Sequence, residues 1–173
     1  STLETLNITS SGTTANNFAL DAGTNVTLST VNLLGATEQT VRVSHNDITG
    51  IEVNGSSATG ATNVRIDRDS DGTTATNVGN FTGVSNIVVA DDATSPAAAL
   101  VLTGVKSGQK VTVVDDMASS SSIAMQGVSR TAPAASITLV LDNDTASTDT
   151  DIAGTLDIQN TTALNLTSNG APN

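Results

Sequence analysis

The feature that most constrains the fold of this chain is a unit that recurs through its middle. Four segments align once gaps are allowed. The first runs from Thr49-Gly50-Ile51 to Asn63-Val64-Arg65-Ile66-Asp67-Arg68-Asp69. The second runs from Thr82-Gly83-Val84 to Asn86-Ile87-Val88-Val89-Ala90-Asp91-Asp92. The third runs from Thr103-Gly104-Val105 to Lys110-Val111-Thr112-Val113-Val114-Asp115-Asp116, and the fourth from Gln126-Gly127-Val128 to Ile137-Thr138-Leu139-Val140-Leu141-Asp142-Asn143-Asp144. Each is a polar residue, Gly, Val or Ile, a spacer, an apolar strand and an acidic pair. Asp92 and Asp116 are 24 residues apart, and Asp116 and Asp144 are 28 apart. Fixed periods of this size signal stacked supersecondary units.

Between these units the chain reads as short alternating blocks. They are Leu3–Thr9, Asn25–Leu34, Thr40–Ser44, Gly50–Val53, Asn63–Ile66, Ser85–Val89, Ala98–Thr103, Lys110–Val114, Ser122–Met125, Ser136–Leu141, Thr155–Ile158 and Thr162–Thr167. Gly, Asn, Asp, Ser and Thr punctuate them, which is the rhythm of an all-β sandwich, barrel or solenoid. Two strands per unit of 21–28 residues fit one coil of a β-solenoid. The expected fold is therefore all-β, an elongated solenoid-like stack of short strands. An antiparallel β-sandwich is the alternative, although it gives successive units less reason to match. The chain is expected to form one β-rich module over residues 1–173, a segment of a longer surface protein or a polymerising subunit.

Composition supports this class. Phe18 and Phe81 are the only aromatic residues, so the core must spread its burial over Val, Ile, Leu, Ala and Thr. β-branched residues and Thr suit pleated, half-buried surfaces. Six Lys+Arg against 17 Asp+Glu give a net charge of -11, which excludes a basic nucleic-acid binder. The absence of Cys excludes disulfide and thiolate-zinc scaffolds. No apolar run approaches the roughly 18 residues that a membrane-spanning helix needs.

Stacked units would stack their acidic ends. Asp91/Asp92, Asp115/Asp116 and Asp142/Asp144 are then expected to form a column at one corner. Like charges about 5 Å apart repel by about 0.8 kcal/mol in water, and by a few kcal/mol at an effective dielectric near 20. The six basic residues are scattered and cannot serve 17 acids. A hard divalent cation would, because Ca²⁺ takes about 6–8 oxygen ligands. The sharpest motif is Asp67-Arg68-Asp69-Ser70-Asp71-Gly72, the D-x-D-x-D-G front half of a calcium loop. Alternate carboxylates there can converge on one ion while Gly permits the turn. It is not an EF-hand, because Val78 stands where that loop needs its bidentate Glu. The alternative is a solvated turn whose charge Arg65 and Arg68 offset.

Other chemistry is thinly represented. His45 is the single histidine and follows Ser44 directly, so the two would point to opposite faces of a strand. There is no G-x-S-x-G elbow, and a glycosidase reading lacks the aromatic platforms such sites use. The seven N-x-S/T sequons, at Asn7, Asn25, Asn54, Asn80, Asn143, Asn160 and Asn165, are weak evidence in a chain with 16 Asn, 19 Ser and 29 Thr.

Three stretches carry a resemblance: Leu3-Glu4-Thr5-Leu6-Asn7-Ile8-Thr9, Leu100-Val101-Leu102-Thr103-Gly104-Val105 and Ala163-Leu164-Asn165-Leu166-Thr167-Ser168-Asn169-Gly170. With the Thr/Ser/Asn bias and low isoelectric point, the chain resembles the strand-repeat regions of bacterial surface-layer proteins and related large secreted adhesins. The resemblance implies a secreted, calcium-dependent coat on the cell surface that assembles from copies of itself, with a cell-surface polysaccharide as a further partner. It implies no nucleic acid, membrane insertion or enzyme activity. The chain departs from many such proteins in lacking G-G-x-G-x-D nonapeptides. Alternatives are an adhesin module that binds glycan or protein and, less favoured, a β-helix enzyme of the pectate-lyase type.

Overall fold

The computed structural model describes residues 3–20, 27–44, 47–48, 50–68, 75–91, 101–114, 122–125, 136–142, 157–159 and 161–169; the side chains of residues 68, 75, 91 and 122–125 are outside that description. The described residues contain strands and no helix, and every strand pair is parallel. The protein is a β-solenoid. Parallel pairing between strands some 25 residues apart rules out the antiparallel sandwich, whose consecutive strands are joined by tight hairpins.

One face is a seven-stranded sheet. In spatial order it holds β2 (Asn16–Leu20), β4 (Gln39–Ser44), β6 (Thr62–Arg68), β9 (Asn86–Asp91), β11 (Lys110–Val113), β13 (Ser136–Leu141) and β15 (Ala163–Ser168). The other face is split. Its first part is β1 (Thr5–Ser10), β3 (Thr30–Gly35), β5 (Glu52–Asn54) and β8 (Phe81–Thr82). Its second part is β7 (Ala75–Asn77), β10 (Val101–Val105), β12 (Ser122–Met125) and β14 (Asp157–Gln159). The chain alternates between faces except at β7 and β8, which follow one another on the split face, and the core lies between the faces.

The inward positions form ladders. Phe18 pairs with Val41, Val41 with Val64, Val64 with Ile87, Ile87 with Val111, Val111 with Leu139 and Leu139 with Leu166. A second ladder runs Leu20, Val43, Ile66, Val89, Val113, Leu141. Facing them are Val31, Leu33, Val53, Leu102 and Phe81. Phe81 is fully enclosed and is the largest of the buried side chains. This corrects the expectation of a core without rings: one aromatic anchors it, at the end of the first short sheet, where Phe81 pairs with Val53.

The recurring glycine marks a break in the strand path: a turn at Gly50, a bend at Gly83 and a register shift within β10 at Gly104. Gly50, Gly83 and Gly104 all have positive φ, at 84°, 66° and 79°. L-residues with a Cβ avoid that region. At Gly83 a Cβ would also lie 2.3 Å from the Ser56 backbone nitrogen, so two passes of the chain touch there. Buried polar side chains serve the backbone groups that the corners release from the sheets. Gln39 Nε2 donates to Leu34 O at 3.0 Å, Thr62 Oγ1 donates to Gly83 O at 2.6 Å, and Lys106 N donates to Gln109 Oε1 at 2.7 Å. Such groups must find a partner once water is excluded.

The N-terminal block Leu3-Glu4-Thr5-Leu6-Asn7-Ile8-Thr9 and the C-terminal block Thr162-Ala163-Leu164-Asn165-Leu166-Thr167-Ser168 are alike in sequence but are not placed equivalently. β1 lies in a short sheet beside β3, and β15 lies in the long sheet beside β13.

Candidate functional site: the strand ends and the two open ends of the stack

The acidic motif begins where β6 leaves the long sheet. Asp67 sits on the outward side of the strand, paired in register with Ser44 on one side and Ala90 on the other. Its carboxylate is only 10% exposed. Arg42 Nε donates to Oδ2, and Arg65 Nε donates to Oδ1 at 2.9 Å. Arg42 and Arg65 are themselves register partners on adjacent strands. Two like charges on neighbouring rungs would repel, and the carboxylate between them relieves that. In the solvated-turn alternative Arg65 and Arg68 offset the charge; Arg65 does contact Asp67 and so does Arg42, 25 residues away, while the Arg68 side chain lies outside the described residues. The signal was present, because Arg42 and Arg65 are separated by the 23-residue step that recurs in the long sheet.

Asp67 is engaged by the two arginines. Both of its oxygens accept from guanidinium groups, and a cation there would have to displace them. Among the described residues no group of three or more His, Cys, Asp or Glu side chains is arranged to hold a metal. Of the other expected ligands, Asp91 closes β9 in register with Arg68. Asp142 is half-buried and its backbone N–H donates to Val113 O at 2.8 Å. Asp69, Asp71, Asp92, Asp115, Asp116 and Asp144 lie outside the described residues, as does His45. The strand register nevertheless shares the spacing of the acids. Asn86 pairs with Lys110, a step of 24, and Lys110 pairs with Thr138, a step of 28. These are the intervals from Asp92 to Asp116 and from Asp116 to Asp144.

The outer faces are polar and laced along the stack. Asn32 Nδ2 donates to Asn7 Oδ1 at 2.8 Å, Asn63 Nδ2 to Glu38 Oε1 at 2.9 Å, and Thr112 Oγ1 to Asn86 Oδ1 at 3.0 Å. An open, polar cleft of about 550 Å³ crosses the first short sheet, between Ser29, Thr30, Gly50, Glu52, Gly79, Asn80 and Thr82.

The two ends of the stack differ from its flanks. Among the described residues Leu3, Phe18, Leu164 and Leu166 are the large apolar side chains left exposed, and all four belong to the first or last passes of the chain. Phe18 is 40% and Leu166 59% exposed, whereas the five residues between them on the same ladder are at 0–1%. Sequence reasoning missed this feature. Phe18 and Leu166 look like any other inward residue until the strands are set in order. No protein-family model, curated protein or solved structure matches the chain.

Proposed function

We propose that this chain is a structural, non-enzymatic module of an extracellular surface layer or filament, which assembles with copies of itself and is stabilised by Ca²⁺ at its acidic strand ends. The observation that carries the reading is the repeating stack of parallel strands with polar flanks laced along its length. The charge of -11 opposes association until salt or a cation screens it.

Sedimentation velocity tests the assembly. Oligomers should grow with protein concentration and with ionic strength. A monomer at every concentration and salt overturns the reading. The calcium part is supported by the match between acid spacing and strand register at Asp92, Asp116 and Asp144 rather than by Asp67. Binding to the folded state alone stabilises it by RT ln(1 + [L]/Kd), about 2.7 kcal/mol at 100 times Kd. Melting in millimolar Ca²⁺ should therefore occur several degrees above melting in chelator. Superimposable curves would remove the metal from the proposal.

A second reading, an adhesin module for a cell-surface polysaccharide, is favoured by the polar cleft around Glu52. Calorimetric titration with surface glycans tests it; binding that Glu52→Ala and Thr82→Ala abolish would support it, and no heat with any glycan would end it.

A further inference from the structure

We propose that the polar cleft on the first short sheet binds an amine-bearing saccharide, whose ammonium group pairs with the Glu52 carboxylate. This rests on the polysaccharide reading above and names the class of sugar.

The break in the split face makes the cleft. Thr30 lies opposite Glu52 in register, and the pairing of Val53 with Phe81 sets Glu52 level with Asn80. A hydroxyl, a carboxylate and an amide thus form one row across three passes of the chain. β8 begins only at Phe81, so at Gly79 and Asn80 the third pass is a turn and not a strand. The surface opens there into the space of about 550 Å³, within the range of about 300–1,000 Å³ usual for small-ligand sites. Gly50 and Gly79 line it without side chains, and a Cβ added at Gly50 would meet nothing within 4 Å.

Charge selects the ligand. Glu52 is the one ionisable residue of this lining and is exposed. Among the described residues no basic group pairs with its carboxylate; the ion pairs of Arg42 and Arg65 are both with Asp67. Lys106 directs its ammonium to Phe81 O at 2.6 Å and to Thr82 Oγ1 at 3.5 Å. The ligand must therefore bring the cation, and a net charge of -11 turns away sugar acids. The remaining groups suit hydroxyls. Ser29 Oγ donates its proton to Glu4 O at 3.1 Å and is left to accept. Thr82 Oγ1 accepts from Lys106 and is left to donate. The Asn80 carboxamide offers both functions. By strand rise and spacing, Glu52 and Thr82 are about 8 Å apart along the backbone surface, the reach of one sugar ring with its substituents. No aromatic side chain lines the cleft, so a neutral ring has nothing to stack on. A charge-assisted hydrogen bond is then the strongest contact on offer.

Calorimetric titration of the full chain tests this with three β-1,4-linked tetrasaccharides that differ only at C2: glucosamine, N-acetylglucosamine and glucose. A mildly acidic buffer of low ionic strength keeps the amines protonated. The glucosamine tetramer should bind about tenfold more tightly than the other two. Glu52→Gln should remove that preference with circular dichroism unchanged. Asp157→Asn, the same charge change on another sheet, should keep it. Equal affinity for all three sugars would overturn the amine assignment and leave the polysaccharide reading standing. Tetralysine bound as tightly as the glucosamine tetramer, or an equal loss in Asp157→Asn, would overturn it in favour of diffuse charge attraction. A sugar acid that binds where these three give no heat would overturn it as well, and silence from every glycan would remove both readings.

Discussion

The two faces of the solenoid solve the same problem with different regularity. On the long face the register advances by 23 residues three times, then by 24, 28 and 27. On the split face the step is 25, 22 and 28 in the first sheet and 26, about 21 and 35 in the second. The long face cannot slip. A shift of one residue would turn Val41, Val43, Val64 and Ile66 outward and drive Arg42 and Arg65 into the core. The split face has strands as short as two residues and a discontinuity at Val78–Asn80. There β7 pairs forward with β10, while β8 pairs back with β5. The seam is held by Val78 N–H on Thr103 O at 2.8 Å, Gly55 N–H on Thr82 O at 2.7 Å, the Phe81 ring, and Lys106 Nζ on Phe81 O at 2.6 Å. Irregularity is thus confined to one face, and specific residues hold it where the other face relies on repetition.

Substitutions on either side can break or sharpen this contrast. The largest effect is expected at the seam. Phe81→Ala empties the biggest fully buried site and should cost about 3–5 kcal/mol in denaturant unfolding. Ile87→Val, on a long-face ladder, should cost about 0.5–1.5 kcal/mol; equal losses would erase the distinction. Next is Gly83→Ala, where positive φ and the approach to Ser56 act together, for a loss above about 2 kcal/mol. The control is Gly50→Ala, with positive φ but no neighbour within 4 Å, which should lose about half as much. Lys106→Met removes the ammonium that spans the split and should cost about 1–2 kcal/mol. The smallest effect is expected on the outer long face. Arg42→Gln, at a side chain 45% exposed, should lose under about 1 kcal/mol. A loss there rivalling Phe81→Ala would mean that the Asp67 cluster, not the core, pins the register.

Much of this arrangement was legible in the sequence, and unevenly so. Ser122–Met125 and Ser136–Leu141 coincide with the observed strands. Aligning Asn63 with Asn86 and Lys110 reproduces the observed pairing. The polar–Gly–Val/Ile signature marks breaks in the strand path because only a residue without Cβ sits easily at positive φ there. Three strands were missed. Asn16–Leu20 has only Phe18 and Leu20 as apolar residues at its inward positions, with Asn16 and Asn17 before them, too little alternation to stand out as a strand. Ala75–Asn77 and Phe81–Thr82 are too short to carry a period. The Arg42–Asp67 contact was hidden because it joins different passes of the chain. The bare ends were hidden because exposure at an edge depends on what comes next in space. The match between residues 3–9 and 162–168 reflects shared strand composition, since the two segments belong to different faces.

The seam also bears on the order in which the molecule can come together. Nearly every strand finds a partner that was made before it, about one pass earlier in the chain. A polypeptide emerging N-terminus first can therefore lay each new strand on a finished template, in step with its own synthesis or passage. Beyond the opening pair, β1 and β2, Ala75–Asn77 is the exception: its partner is β10, which is made later. It must wait until residues 101–103 arrive. Phe81 and β9 can meanwhile be seated on β5 and β6, so the two faces grow out of step at this one place.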